Sequence, residues 1–329
     1  MKKPVCFFAV LFCLCLIFTG CGTETDPRAD NVCRLRIARS TEEDSDTEML
    51  AVSGRSVQAF ELAQKDAGAF LCDTWNYEVI DGKERFLWNT GEEYPSELDF
   101  YGQCITVTPL YFLHNPVCNA DGTAAGQQLI EEADTLNLLV PQQYRSREAE
   151  ITAIYQEYMY FNNIEVSDIY AERLGLERDP RRADDFKINI IYMPQGQSYF
   201  TYKPDIASKT DHAITDCIVI VLYPENTHPV QFASAMTRGL YIPAGPGEEL
   251  LAEQTVRHAF KEAGAEDSLG SFTAVRDIFK EYRQDQLLSY IIYIIAVVLA
   301  ALVLFLAAVF VKRRLKKKPS ALRHKNDLP

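Results

Sequence analysis

Apolar and polar positions alternate with changing period along this chain, and the period assigns most of its elements. Cys33 to Ala38 alternates and predicts a short strand. Val57, Phe60, Ala63, Ala67 and Phe70 recur at helical spacing. Trp75–Ile80 and Glu84–Trp88 flank Asp81-Gly82, a hairpin signal, and another strand is expected from Cys104 to Phe112. Leu136–Val140, closed by Pro141, reads as a compact strand. Ile151, Ile154, Tyr155, Tyr158 and Phe161 mark an amphipathic helix within Arg145–Asn162. A shorter helix is expected from a capping Ser167 to Leu174, stopped by Gly175. Lys187–Met193 alternates, Pro194–Gln197 turns the chain, and Ser198–Tyr202 is expected to return as an aromatic strand. Cys217–Tyr223 is continuously apolar at strand length, which predicts a central strand buried on both faces. Helices follow near Val230–Leu240 and Glu248–Ala263, and Phe272–Arg283 leads into the last apolar run. This order predicts an α/β or α+β domain, a mixed sheet with packed helices, followed by one C-terminal transmembrane helix.

The last run places the protein. Leu287–Val311 is 25 residues, apolar apart from one serine, and six basic residues follow within the next seven positions. A helix of about 20 residues spans a bilayer core, and Lys/Arg mark the cytoplasmic end. At the other end, Lys2 and Lys3 precede an apolar stretch from Val5 to Thr19, the layout of an export signal. Phe18-Thr19-Gly20-Cys21 resembles the end of a lipoprotein leader, which makes Cys21 a candidate lipidation site; the alternative is a retained first membrane helix. The expected division is a leader at 1–20, ectodomain parts at 21–120 and 121–286, a span at 287–311 and a basic cytoplasmic tail at 312–329. Residues 22–31 and 39–49 are polar and read as a stalk and a loop.

Of the 329 residues, 47% are hydrophobic and 11% aromatic, the composition of a folded protein. The net charge is −13; with the +7 of the tail and the +2 of Lys2 and Lys3 set aside, the remainder carries −22. An acidic body argues against nucleic acid as a partner.

Candidate chemistry is sparse. Cys33, Cys72, Cys104, Cys118 and Cys217 lie in the body without a CxxC, so zinc spacing is absent. Cys104 with Cys118 is the nearest disulfide pair, against which stand buried free thiols, Cys217 above all. His212 and His228 flank one strand near Asp211 and Asp216, either a metal site or two loop histidines, the latter being the default. Glu131-Glu132 and Asp184-Asp185 read as charged surface. Tyr155, Tyr158, Tyr160 and Phe161 either face a ligand or form a core stripe. Tyr192, Tyr199, Phe200 and Tyr202 either present an aromatic binding edge or pack across a hairpin. No GxSxG, P-loop or GxGxxG occurs, so the chain reads as non-enzymatic, with no catalytic, cofactor or metal residues assigned.

Thr135-Leu-Asn-Leu-Leu-Val-Pro141, Tyr155-Gln-Glu-Tyr-Met-Tyr-Phe161, Lys187-Ile-Asn-Ile-Ile-Tyr-Met193 and Gln197-Ser-Tyr-Phe-Thr-Tyr202 carry a resemblance over about residues 101–283. That region resembles the extracytoplasmic part of bacteriocin-associated integral membrane proteins of Gram-positive bacteria, linked to lactococcin-type ABC transporters and immunity. The resemblance implies an accessory or permease-like component of a peptide-exporting ABC system, with transporter subunits or an exported peptide as partners. Members of that family are polytopic, whereas this chain shows one span after its domain; a reduced form or one piece of a split permease is expected. A stand-alone surface binding or sensor lipoprotein is the alternative, and an exported hydrolase with dispersed catalytic residues the third reading.

Overall fold

The computed structural model describes residues 26–38, 45–80, 83–86, 97–175, 177–207 and 211–316. The leader, Cys21, the first part of the stalk, the Asp81-Gly82 turn, Trp88 and the tail from residue 317 lie outside the described residues. Two units are distinguished, one ending at Phe279 and one beginning at Lys280.

Among the described residues the first unit contains twelve strands: β1 (Val32–Ile37), β2 (Phe70–Asp73), β3 (Tyr77–Ile80), β4 (Lys83–Phe86), β5 (Cys104–Val107), β6 (Thr135–Pro141), β7 (Lys187–Met193), β8 (Ser198–Phe200), β9 (Ala213–Thr215), β10 (Ile218–Val221), β11 (Leu240–Pro243) and β12 (Leu269–Ala274). Its main helices are α1 (Asp46–Ala67), α2 (Glu148–Tyr160), α3 (Val166–Leu174), α4 (Pro229–Gly239) and α5 (Glu249–Glu262); α6 (Val275–Lys316) starts in this unit and continues through the second. Eight strands form one mixed sheet in the order β12-β1-β11-β2-β5-β10-β6-β7, and β3–β4 and β8–β9 form two small sheets. β10 runs parallel to β5 and antiparallel to β6, while β6 runs parallel to β7. Every residue of β10 is buried, as its unbroken apolar run predicts.

Alternation along the strands divides the core in two. Leu71, Cys104, Leu138 and Ile220 face a layer of α1, α2, α4 and α5, which contribute Phe60, Tyr155, Phe232 and Phe260. Phe70, Ile105, Val219 and Tyr241 face the other way, onto Tyr111, Tyr199, Phe200 and Tyr202 and onto Val275 and Phe279 at the start of α6. Residues on both sides of position 120 share this sheet, since β5 pairs with β10 in register from Cys104–Ile218 to Val107–Val221. The two ectodomain parts are therefore parts of one core.

Several expectations are corrected. α1 begins inside the stretch read as a loop: Ser45 caps Glu48 N–H at 3.3 Å, and Asp46 and Glu48 favour the positive end of the helix. The strand expected to reach Phe112 ends at Val107, because the chain turns at Thr108-Pro109 into a helical turn at Tyr111–His114. Ser167 is no cap; α2 passes through a π-helical turn, Phe161–Glu165, directly into α3. Gly175 does stop α3, in the left-handed conformation at φ 67°. Ser198–Phe200 does not return along β7. It pairs with β9, and the Gly196 turn is fixed by Gly196 N–H donating to Asp216 at 2.7 Å. β2, β9, β11 and β12 were not expected: Phe70, counted in the helical spacing, begins β2 after Gly68 stops α1, and β12 takes Phe272, so α6 starts at Val275.

Within α6 an 18-residue window has a mean hydropathy of 3.3 with none of it buried. Leu288, Ile292, Val303, Phe305 and Phe310 are exposed. This one helix is long and apolar enough to span a membrane, and an apolar surface of that extent is solvated by lipid rather than water.

Candidate functional site

A strand that alternates sends every second side chain to one face. Leu71 and Asp73 of β2 therefore both point at the helical layer, and Asp73 lies opposite Thr106 of β5, itself beside Ile220 of β10. Above this row the helices leave a cleft of about 270 Å³. Asp73, Thr106 and Leu222 line its sheet side. Tyr158 comes from the last turn of α2, Phe161 and Asn162 from the π-helical turn after it, Gln231 and Arg238 from α4, and Trp75, Phe100 and Tyr101 from two loops.

Asp73 is 1% exposed. Removing a carboxylate from water is costly unless it is paired, and Arg238 supplies the pair: its Nε donates to Oδ2 at 2.8 Å, and Nη2 completes the ion pair at 2.7 Å from the same oxygen. Arg238 is itself held, with Nη1 on Ser234 Oγ at 2.7 Å and its backbone carbonyl accepting from Arg34 at 3.0 Å. The other carboxylate oxygen, Asp73 Oδ1, is buried and has no hydrogen-bond partner among the described residues. Other side chains, Asn115 and Asp168 among them, also carry such a buried atom, but among the described residues Asp73 Oδ1 is the one that belongs to a residue lining the cleft.

The facing wall is aromatic and continuous. Trp75 meets Tyr101 edge-on at 5.3 Å between centroids, Tyr101 meets Phe100 at 4.1 Å, and Phe100 meets Tyr158 at 4.9 Å. Burial pushes the Tyr158 phenol well above its usual range, so it stays protonated. The π-helical turn adjoins this wall. Asn162 donates to the Tyr158 carbonyl at 2.8 Å, and Asn163 ties the turn to Asn226 O at 3.1 Å. Such turns often accompany functional sites because they displace side chains from the regular helical face; here Phe161 is left 44% exposed beside the cleft.

The aromatic cluster of the second helix divides accordingly. Tyr155 is fully buried in the core, while Tyr158 and Phe161 line the cleft. The second cluster does not form an open edge: Tyr199, Phe200 and Tyr202 are buried on the opposite face of the sheet. Tyr192 stands apart on β7, donating to Glu148 at 2.7 Å with Arg145 over its ring. His212 contacts the Ile206 carbonyl at 3.2 Å and Phe279 edge-on, whereas His228 accepts from Val230 N–H and stacks on Tyr170. The two histidines thus serve different neighbours, and no metal-ligating cluster of His, Cys, Asp or Glu occurs among the described residues. Glu132 pairs with Lys187 and Asp184 with Arg182 at the surface. Cys33, Cys72, Cys104 and Cys217 are buried free thiols; Cys118 is exposed and free, so Cys104 and Cys118 are not bonded.

Sequence reasoning missed Asp73, Arg238, Trp75, Phe100 and Tyr101. The one local signal was a carboxylate closing the apolar strand Phe70–Asp73, a costly position for a residue without a partner.

No protein-family model matches the chain, and no curated protein or solved structure matches it. Fold and site together define a mixed α/β domain with an aromatic-walled cleft, joined to a helix long and apolar enough to span a membrane.

Proposed function

We propose that this chain is a non-enzymatic, membrane-anchored binding protein that takes a ligand into the Asp73–Arg238 cleft on the outer side of the membrane. The observation that carries the reading is the unpartnered Asp73 Oδ1 at the foot of a preformed aromatic wall. Binding sites combine apolar walls with a few convergent polar groups in this way. The cleft's carboxylate is tied to an arginine rather than poised beside a nucleophile, which favours binding over catalysis. The basic run from Lys312 to Lys318 supports the outward orientation of the domain, and the apolar N-terminal leader supports its export.

A second reading follows from the resemblance: an accessory or permease-like component of a peptide ABC export or immunity system. Tyr158 and Phe161, within one of the resembling segments, line the cleft, which would then hold part of an exported peptide. Thermal unfolding of the full-length protein in detergent, with and without small polar ligands and peptides, tests the binding role. Gln231→Trp places a bulky ring in the cleft. A ligand-induced rise in Tm that vanishes in this variant supports the role; an undiminished rise contradicts it. Copurification of an ABC ATPase with tagged full-length protein from its native membrane distinguishes the second reading.

A further inference from the structure

The cleft's charge balance points to its ligand. Asp73 and Arg238 are the charged residues lining it, and they neutralise each other. An ammonium ligand would satisfy Asp73 Oδ1 but would put a second cation beside Arg238. A phosphate or carboxylate would put a second anion beside Asp73. Either leaves one charge unmatched in a half-enclosed site, which is costly.

An uncharged ligand with several hydroxyl groups meets neither penalty. A hydroxyl both donates and accepts. Asp73 Oδ1 lacks a partner but is covered by its neighbours, so a hydroxyl donates to it once those side chains shift. A guanidinium has five N–H groups; Arg238 directs its Nε–H to Asp73 and one Nη1–H to Ser234, with Nη2 2.7 Å from the same Asp73 oxygen. The remainder are available to a neighbouring hydroxyl. Thr106, Asn162 and Gln231 add further short polar groups around the same space. The Trp75–Tyr101–Phe100–Tyr158 wall matches the other property of a sugar ring, a face of C–H groups that packs on aromatic carbon. We infer that the cleft binds a neutral saccharide, with Asp73 and Arg238 as its hydroxyl-recognising pair and the aromatic wall as its packing surface. The inference rests on the binding role proposed above.

The chain has two tryptophans, Trp75 in the cleft and Trp88. Trp88→Phe therefore makes Trp75 the sole reporter. The probes are glucose, galactose, N-acetylglucosamine, maltose and cellobiose, with tetramethylammonium and inorganic phosphate as charged comparators. They are titrated into the full-length variant in lipid nanodiscs while Trp75 emission is followed. The expected result is a saturable change with at least one sugar, nearly insensitive to added salt because no net charge is matched on binding. Thr106→Val and Gln231→Ala, which leave the ion pair intact, weaken it by about three-fold or more each, and Asp73→Asn by about ten-fold. If Asp73→Asn does not fold, the other two variants decide. Saturation by a charged comparator and by no sugar overturns the saccharide assignment and leaves the binding role standing. Silence toward every probe overturns the saccharide assignment, while a Tm shift by peptides that Gln231→Trp removes would still uphold the binding role.

Discussion

Asp73 and Arg238, 165 positions apart in the chain, meet at a single carboxylate oxygen, which accepts a hydrogen bond from Nε at 2.8 Å and lies 2.7 Å from Nη2 in an ion pair. The contact joins the end of β2 to the last turn of α4 and sets the polar end of the cleft. Arg238→Ala leaves a buried carboxylate without its partner. The expected loss is about 3 kcal/mol, the low end for a broken buried pair, because Arg238 is 38% exposed. Denaturant unfolding of the full-length protein in detergent measures it. Asp73→Ala/Arg238→Ala should lose less than the sum of the single changes, since each single change strands the other group.

The residue after Arg238 is fixed by contact. A Cβ on Gly239 would overlap the carbonyl oxygen of Cys72, so α4 and β2 approach as closely as they do because this residue is glycine. Gly239→Ala must push backbone apart and should destabilise by about 3 kcal/mol. Gly54, inside α1, has open space where a Cβ would sit. Gly54→Ala should stabilise by roughly 0.5–1 kcal/mol. A pair of unfolding curves shifted in opposite directions checks both.

Thiol reactivity should follow burial. Cys118 is exposed, while Cys33, Cys72, Cys104 and Cys217 are buried. Burial pushes the Cys33 thiol up to about 11 and the other three higher still. Among these five, Cys118 alone should be alkylated in the native protein near neutral pH, and all five in denaturant, as read by peptide mass spectrometry.

Acid should weaken the fold in two stages. Burial lowers His114 and His228 below the usual histidine value of about 6.5. As pH falls below that value the unfolded chain takes up protons that the folded chain resists, so the stability they contribute is present above it and lost below it. His228 also accepts a hydrogen bond from Val230 N–H as the cap of α4, which protonation removes. For Asp26, burial opposes ionisation, but the guanidinium and backbone N–H of Arg28 outweigh it and hold the carboxyl below its usual range. That contribution persists above about pH 4 and disappears as pH falls further. Comparing urea midpoints near pH 7.5 and 5.5 tests the first stage. His228→Asn, which keeps a good capping residue, should shrink the difference between them.

The elements that the sequence made legible are those set by local pattern. The β10 run, the periodic apolar face of α2, the Gly175 stop and the apolar stretch of α6 each follow from spacing or chain geometry alone. What depended on partners was not legible. Ser198–Phe200 has the composition of a returning strand, yet its partner is β9, selected by the Gly196–Asp216 turn and by the aromatic core beneath it. The expected helix reached Leu240, the first residue of β11, and Tyr241–Pro243 received no element; Gly239 lies against Cys72 where α4 gives way to that strand. Of the aromatic cluster around the end of α2, Tyr155 lies in the core with Tyr158 and Tyr160 packed against it, while Tyr158 and Phe161 also line the cleft, so both alternatives hold in part. Asp73 carries one local signal, its place at the end of an apolar strand, and Arg238 none; their pairing arises only when β2 and α4 meet.

The central proposal is a folded binding domain on the outer side of a membrane that the apolar part of α6 spans. Cys118 is an exposed thiol in that domain. A membrane-impermeant maleimide applied to intact cells producing the full-length protein, with Cys118 and a Ser320→Cys substitution in the basic tail read separately by peptide mass spectrometry, tests the claim most directly. The account predicts labelling of Cys118 before permeabilisation and of position 320 only after it. Protection of Cys118 until the cells are opened would contradict it.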